Sequence, residues 1–236
     1  MFNHCEGSDF QLGEVVTFGY SKVCASQMEV TDDGLSANKK DPAQFYAHGV
    51  VYGDKPLKGV AEFEVEIIRY GSGWSGTVKL GVVKIAEDKE MTVNDVPRYS
   101  PDAPGYCVWC ADKLHNNLNN GPVETPYGGH NLDSLREGSR VGLRLERNGD
   151  LSFLVDGLSQ GIACRNIASK GHKLFVVVDH YANCIETRIT RSVVLIAVRN
   201  LQELCLEVLR KMIPSSNLQS VPLPQGLLHR LQRLYQ

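Results

Sequence analysis

The sequence predicts an all-β fold, an antiparallel β-sandwich, with a small α-helical segment at its C-terminal end. Three observations predict it. From about Val15 to Ile189 apolar residues recur with a period of two. Gly, Asn and Asp break these runs at short intervals, as turns between strands do. After Arg191 the period changes to three and four, which belongs to helices. Short strands, frequent turns and no helical period in the first region are the pattern of two packed sheets.

The stretch Val60 to Ile68 sets Ala61, Phe63, Val65 and Ile67 against Glu62, Glu64 and Glu66, so a strand here has one dry face and one wet face. Val78, Leu80 and Val82 repeat the pattern after a glycine-rich turn at residues 71–76, and Val141, Leu143 and Leu145 do so again. Asn148-Gly149 can take the positive φ angles of a tight hairpin leading into Leu151, Phe153 and Val155, and Asp156-Gly157 makes the next turn. The continuous apolar run Leu174 to Asp179 suits a central strand, and Tyr181-Ala182-Asn183 turns the chain into Cys184 to Ile189. Beyond it Leu201, Leu204, Cys205, Val208, Leu209 and Met212 form one apolar helical stripe, capped by Asn200 and ended by Pro214. A polar linker then leads to Val221-Pro222-Leu223-Pro224 and a second stripe, Leu227, Leu228, Leu231 and Leu234. Two short helices cannot bury both stripes by themselves.

The 25 Lys and Arg nearly balance the 27 Asp and Glu, and the formal charge of -2 argues against nucleic acid or an anionic membrane as partner. A protein partner or a neutral ligand fits better. The N-terminus has no basic stretch leading into an apolar one, and the longest apolar run, Val193 to Val198, falls far short of the roughly 20 residues that span a bilayer. The expected chain is soluble and cytoplasmic, without membrane insertion, although a nuclear chain would look the same. Seven irregularly spaced cysteines are expected to be reduced, buried thiols and not a disulfide framework.

Signals for chemistry are weak. Cys107-Val-Trp-Cys110 is a single CxxC on an alternating strand, where the two thiols would face opposite sides of the sheet. Asp179-His180 and His130 have no serine in a nucleophile-elbow pattern beside them. The Glu62, Glu64, Glu66 row is expected to be a solvated strand face. No catalytic residue, metal site or cofactor is expected.

Asn200 to Leu209 resembles the elongin-binding part of a SOCS box, in which a leucine, a cysteine and an aliphatic residue recur every four positions; Leu201, Cys205 and Leu209 fit it. Val221 to Pro224 with the helix that follows resembles the cullin-five-selecting half of the same box. Val221 stands where leucine is usual. The resemblance implies elongin B, elongin C and cullin five with a RING subunit as partners. It assigns elongin contacts to Leu201, Leu204, Cys205, Val208 and Leu209, and cullin contacts to Val221, Pro222, Leu223, Pro224, Leu227 and Leu228. Helix-in-groove binding explains the spacing, since residues at i, i+4 and i+8 enter successive pockets of a partner.

The β region has a resemblance of its own. Phe45 to Tyr52, Pro56-Leu57, Gly73 to Gly76, Gly149 to Gly157 with Ser159-Gln160-Gly161, and Phe175 to Tyr181 look like successive segments of a neuralized homology repeat. That family has a SPRY-like antiparallel sandwich used to bind proteins. The chain then divides into a neuralized homology repeat at 15–191 and a SOCS box at 196–236, and reads as a non-catalytic substrate receptor of a ubiquitin ligase. The alternative is a free-standing protein- or glycan-binding sandwich with its C-terminal helices packed in cis. Target binding is expected on loops at one end of the sandwich, with Trp74, Tyr20, Tyr46, Tyr70 and Tyr181 as candidate anchors. Trp74 can equally pack over the sandwich end.

Overall fold

The computed structural model describes residues 14–43, 49–72, 76–98, 100, 105–118, 122–167 and 171–196, together with Leu209, Ile213, Pro224 and Gly226. Among these residues the strands run in order as β1 (Glu14–Thr17), β2 (Tyr20–Cys24), β3 (Met28–Val30), β4 (Ser36–Lys39), β5 (Val50–Gly53), β6 (Val60–Tyr70) and β7 (Val78–Ala86). They continue as β8 (Tyr106–Cys110), β9 (Lys113–Asn116), β10 (Val123–Pro126), β11 (Arg140–Leu145), β12 (Leu151–Val155), β13 (Leu158–Cys164), β14 (His172–His180) and β15 (Cys184–Ile196). One sheet has the order β13-β12-β11-β6-β15-β4-β3, with β1 beside β15; the other has the order β10-β9-β8-β7-β14-β5-β2. The registers along both sheets are antiparallel.

Period two decides which side chains meet between the sheets. On β6, Ala61, Phe63, Val65 and Ile67 are buried while Glu62, Glu64 and Glu66 are half-buried on the other face. Val65, Val141 and Val155 stand side by side across three strands, as do Phe63, Leu143 and Phe153. The facing sheet contributes Leu80 opposite Trp109 and Val82 opposite Cys107. Trp109 and Phe153 close the gap, with ring centroids 5.7 Å apart.

The outer faces differ. On the β6 sheet, Glu62 pairs with Arg144 at 2.7 Å and with Arg191, and Glu64 pairs with Arg140 at 3.6 Å. The expected solvated carboxylate row is therefore a lattice of carboxylates and guanidiniums contributed by β6, β11 and β15. On the β7 sheet, the outward residues Val83, Val108 and Val177 are buried, and Met91 and Val96 of the segment between β7 and β8 pack against the core. Ser100 of the same segment donates to Asp179 from both its backbone N–H and its hydroxyl, each at 3.1 Å.

Turn chemistry is as expected at Asp156-Gly157, where both residues have positive φ, 49° and 78°. At Asn148-Gly149 only Gly149 has positive φ, and Glu146 N–H bonds Asp150 O instead, making a wider turn. Between β12 and β13 the register shifts, and the Tyr127 hydroxyl fills the break: it donates to Gly161 O at 2.6 Å and accepts from Phe153 N at 3.2 Å.

The expected buried thiols are scattered, except for one pair. Cys107 and Cys164, 57 positions apart, bring their sulfurs together between the two sheets, placed to pair as a disulfide. Both point inward on strands of facing sheets, a relation that local spacing does not carry. Cys24, Cys110 and Cys184 are free, and the two cysteines of the CxxC part company as their strand requires.

Candidate functional site

One end of the sandwich gathers the turns expected to carry a target. Tyr70 closes β6 and Cys184 opens β15 directly beside it. Gly71 N–H bonds Asn183 O at 2.8 Å, and Asn183 N–H bonds Gly76 O at 3.2 Å, so the 71–76 and 181–183 turns are tied to each other. The segment before β11 joins them: Gly138 N–H bonds Ile67 O at 2.8 Å, and the Glu137 carboxylate accepts from Tyr70 N at 2.8 Å. His180 N–H reaches Gly49 O at 2.9 Å, which brings in the loop before β5.

Two tyrosines of this end each carry a cation. The Arg136 guanidinium lies 4.8 Å from the centre of the Tyr70 ring, whose hydroxyl accepts from Asn183 Nδ2 at 3.1 Å. The Lys79 ammonium lies 3.9 Å from the centre of the Tyr181 ring and 3.8 Å from Asp179 Oδ2. Gly76, at φ 121°, packs against that ring so closely that a Cβ would come within 2.8 Å of it, and glycine is required there on both counts. Asp133 accepts from Thr77 N–H, and partial burial raises its carboxyl above the usual range. Thr77 Oγ1 is buried and has no partner among the described residues.

Two half-buried aromatic rings, each under a cation, lie at this end with amide and carboxylate groups between them. His180 is buried, bonded through Nε2 to Thr187 Oγ1 at 2.8 Å, and burial together with Lys39 lowers its pKa to about 3, so it stays neutral. Burial pushes the Cys184 thiol up to about 12. A cleft of about 410 Å³ at the opposite end, lined by Leu57, Arg147, Ile167 and Lys173, contains no tyrosine or tryptophan.

The structure thus brings Tyr70 and Tyr181 together. Tyr20 is corrected: it is only 3% exposed, its ring lies 6.2 Å from Phe63, and its hydroxyl bonds Thr187 Oγ1 at 2.7 Å, so it is a core residue without a face to offer. Tyr46 and Trp74 lie outside the described residues, and so do Leu201, Leu204, Cys205, Val208, Val221, Pro222, Leu223, Leu227 and Leu228. Leu209 is helical, its carbonyl accepting from Ile213 N–H at 2.8 Å. Sequence reading missed Lys79, Asp133 and Arg136. The signal available was Lys79 interrupting an otherwise apolar strand, the mark of a strand whose second face is also covered.

A family model described as Neuralized matches residues 20–191. The chain belongs to the Neuralized family. The neuralized-NHR1 domain of Drosophila melanogaster, seen in a crystal structure, aligns at a TM-score of 0.56 and 15% identity, covering 75% of this chain and 99% of that one. The solution structure of the NHR domain in Neuralized from the same fly aligns at 0.53 and 15% identity, covering 74% and 91%. At such identity the likeness to the Neuralized structures shows the shared sandwich. Domains of this kind are protein-interaction modules and generally non-catalytic. No helix of the described residues is long and apolar enough to cross a membrane.

Proposed function

We propose that this chain is a non-catalytic, cytoplasmic substrate-recognition subunit of an elongin B/C–cullin five RING ubiquitin ligase. The Neuralized domain holds the target through its Tyr70 and Tyr181 end, and the C-terminal segment holds the scaffold. The observation that carries the reading is the run of Leu201, Cys205 and Leu209 followed by Val221-Pro222-Leu223-Pro224, a SOCS-box-like order and spacing behind a protein-binding domain. The receptor contributes proximity: it raises the effective concentration of the target at a transfer centre supplied by the RING subunit and a conjugating enzyme.

The deciding experiment is copurification of elongin B and C with the full chain and with the Leu201→Asp/Cys205→Asp variant. Elongin is retained by the wild type and lost by the variant, whose Neuralized domain melts as before. Retention by both, or capture by neither, overturns the scaffold half of the proposal. A drop in stability on truncation after Ile196 supports instead a free-standing sandwich with its C-terminal segment packed in cis.

A further inference from the structure

Lys39 lies at the end of β4, only 3% exposed, and its ammonium donates to the Ala182 carbonyl at 2.6 Å from 143 positions away in the sequence. Ala182 is the middle residue of the 181–183 turn and has φ 43°, in the left-handed region that an alanine side chain opposes. The turn closes through Cys184 N–H on Tyr181 O at 3.0 Å, and its last residue, Asn183, bonds both Gly76 O and the Tyr70 hydroxyl. Ala182 is therefore the link between the two tyrosines: Tyr181 precedes it, and Tyr70 is held by the residue after it. An apolar side chain would fill the Lys39 site without the unfavourable burial of a charge. What the lysine adds is a donor aimed at one carbonyl, and that carbonyl belongs to the residue in the least favoured conformation of the turn.

We propose that Lys39 is the positioning residue of the recognition end, fixing Ala182 in its left-handed conformation and with it the relative placement of Tyr181 and Tyr70. This deepens the reading of that end as the target surface and rests on it, but the turn can be followed without knowing the target.

Amide hydrogen exchange on the full chain tests it, comparing wild type, Lys39→Met, Ala182→Gly and the Lys39→Met/Ala182→Gly double variant. Lys39→Met is expected to speed exchange of the Asn183 and Gly71 amides about tenfold or more while β6 and β11 keep their protection. The double variant is expected to recover most of that protection, because glycine adopts positive φ without being held there. Unchanged exchange in Lys39→Met, or a double variant no better protected than Lys39→Met, overturns the proposal. If Lys39→Met does not fold, Ala182→Gly alone decides: higher protection of the turn supports a held, disfavoured conformation, and equal or lower protection overturns it. Loss of target capture by Tyr181→Ala with the turn intact leaves this result untouched, whereas normal capture by that variant removes the surface reading alone.

Discussion

The two sheets bury their inner faces in the same way but treat their outer faces differently. The β6 sheet lines its outer face with ion pairs among the half-buried Glu62 and Glu64 and the arginines Arg140, Arg144 and Arg191, whereas on the β7 sheet the outward Val83, Val108 and Val177 are buried and the segment carrying Met91, Val96 and Ser100 packs against the core. A strand with one wet face shows strict alternation; a strand covered on both sides shows a continuous apolar run. The run from Leu174 to Val178 therefore indicates a covered face as much as a central position. A polar residue within such a run, Lys79 or Asp179, must find its partner in the dry layer.

The comparison is sharpened most by placing a charge on the covered face. Val177→Asp, at a position with no exposure, is expected to destabilise the domain by about 4 kcal/mol or more and to abolish a cooperative urea transition. Next comes Asp179→Asn, which takes the charge from the carboxylate that Lys79 and both Ser100 donors face; a loss of about 3 kcal/mol is expected. Limited proteolysis should then cut first between β7 and β8, because Ser100 has lost its strongest anchor. The smallest effect belongs to the open face, where Glu62→Gln should lower stability by about 1 kcal/mol or less because water and salt screen its pairs.

That last loss carries a pH signature. Partial burial works against ionisation of Glu62, but the hydrogen bonds and charges of Arg191 and Arg144 outweigh it and hold its carboxyl below the usual range. The contribution is present above the ordinary carboxylate value and disappears as pH falls through the lowered one. Wild type and Glu62→Gln should accordingly converge in urea midpoint toward acid and separate at neutral pH, the gap narrowing in high salt. Equal sensitivity of the two faces to a buried-type substitution would break the comparison.

Legibility followed this difference. β6, β11 and β12 could be read from alternation alone, and Asp156-Gly157 from its turn chemistry. The segment between β7 and β8 has neither period nor repeat, and its role depends on a face that only the folded sheet creates. At the candidate site, Tyr70 and Tyr181 were readable as aromatics beside turns. Tyr20 looked the same from its neighbours, yet Thr187, 167 positions away, holds its hydroxyl in the core. The Cys107–Cys164 pair and the Lys39 contact with Ala182 are likewise long-range relations that leave no trace in local spacing.

β15 begins under the Tyr181 turn, where Cys184 faces Tyr70, and runs beside β6 until Leu195 faces Val60. At about 3.3 Å per residue the strand is a ruler of roughly 40 Å. It is paired along β6 from end to end, with shifts of register near Glu186 and Thr190. The 181–183 turn and the far end of β15 are thus held at opposite ends of the β6 sheet.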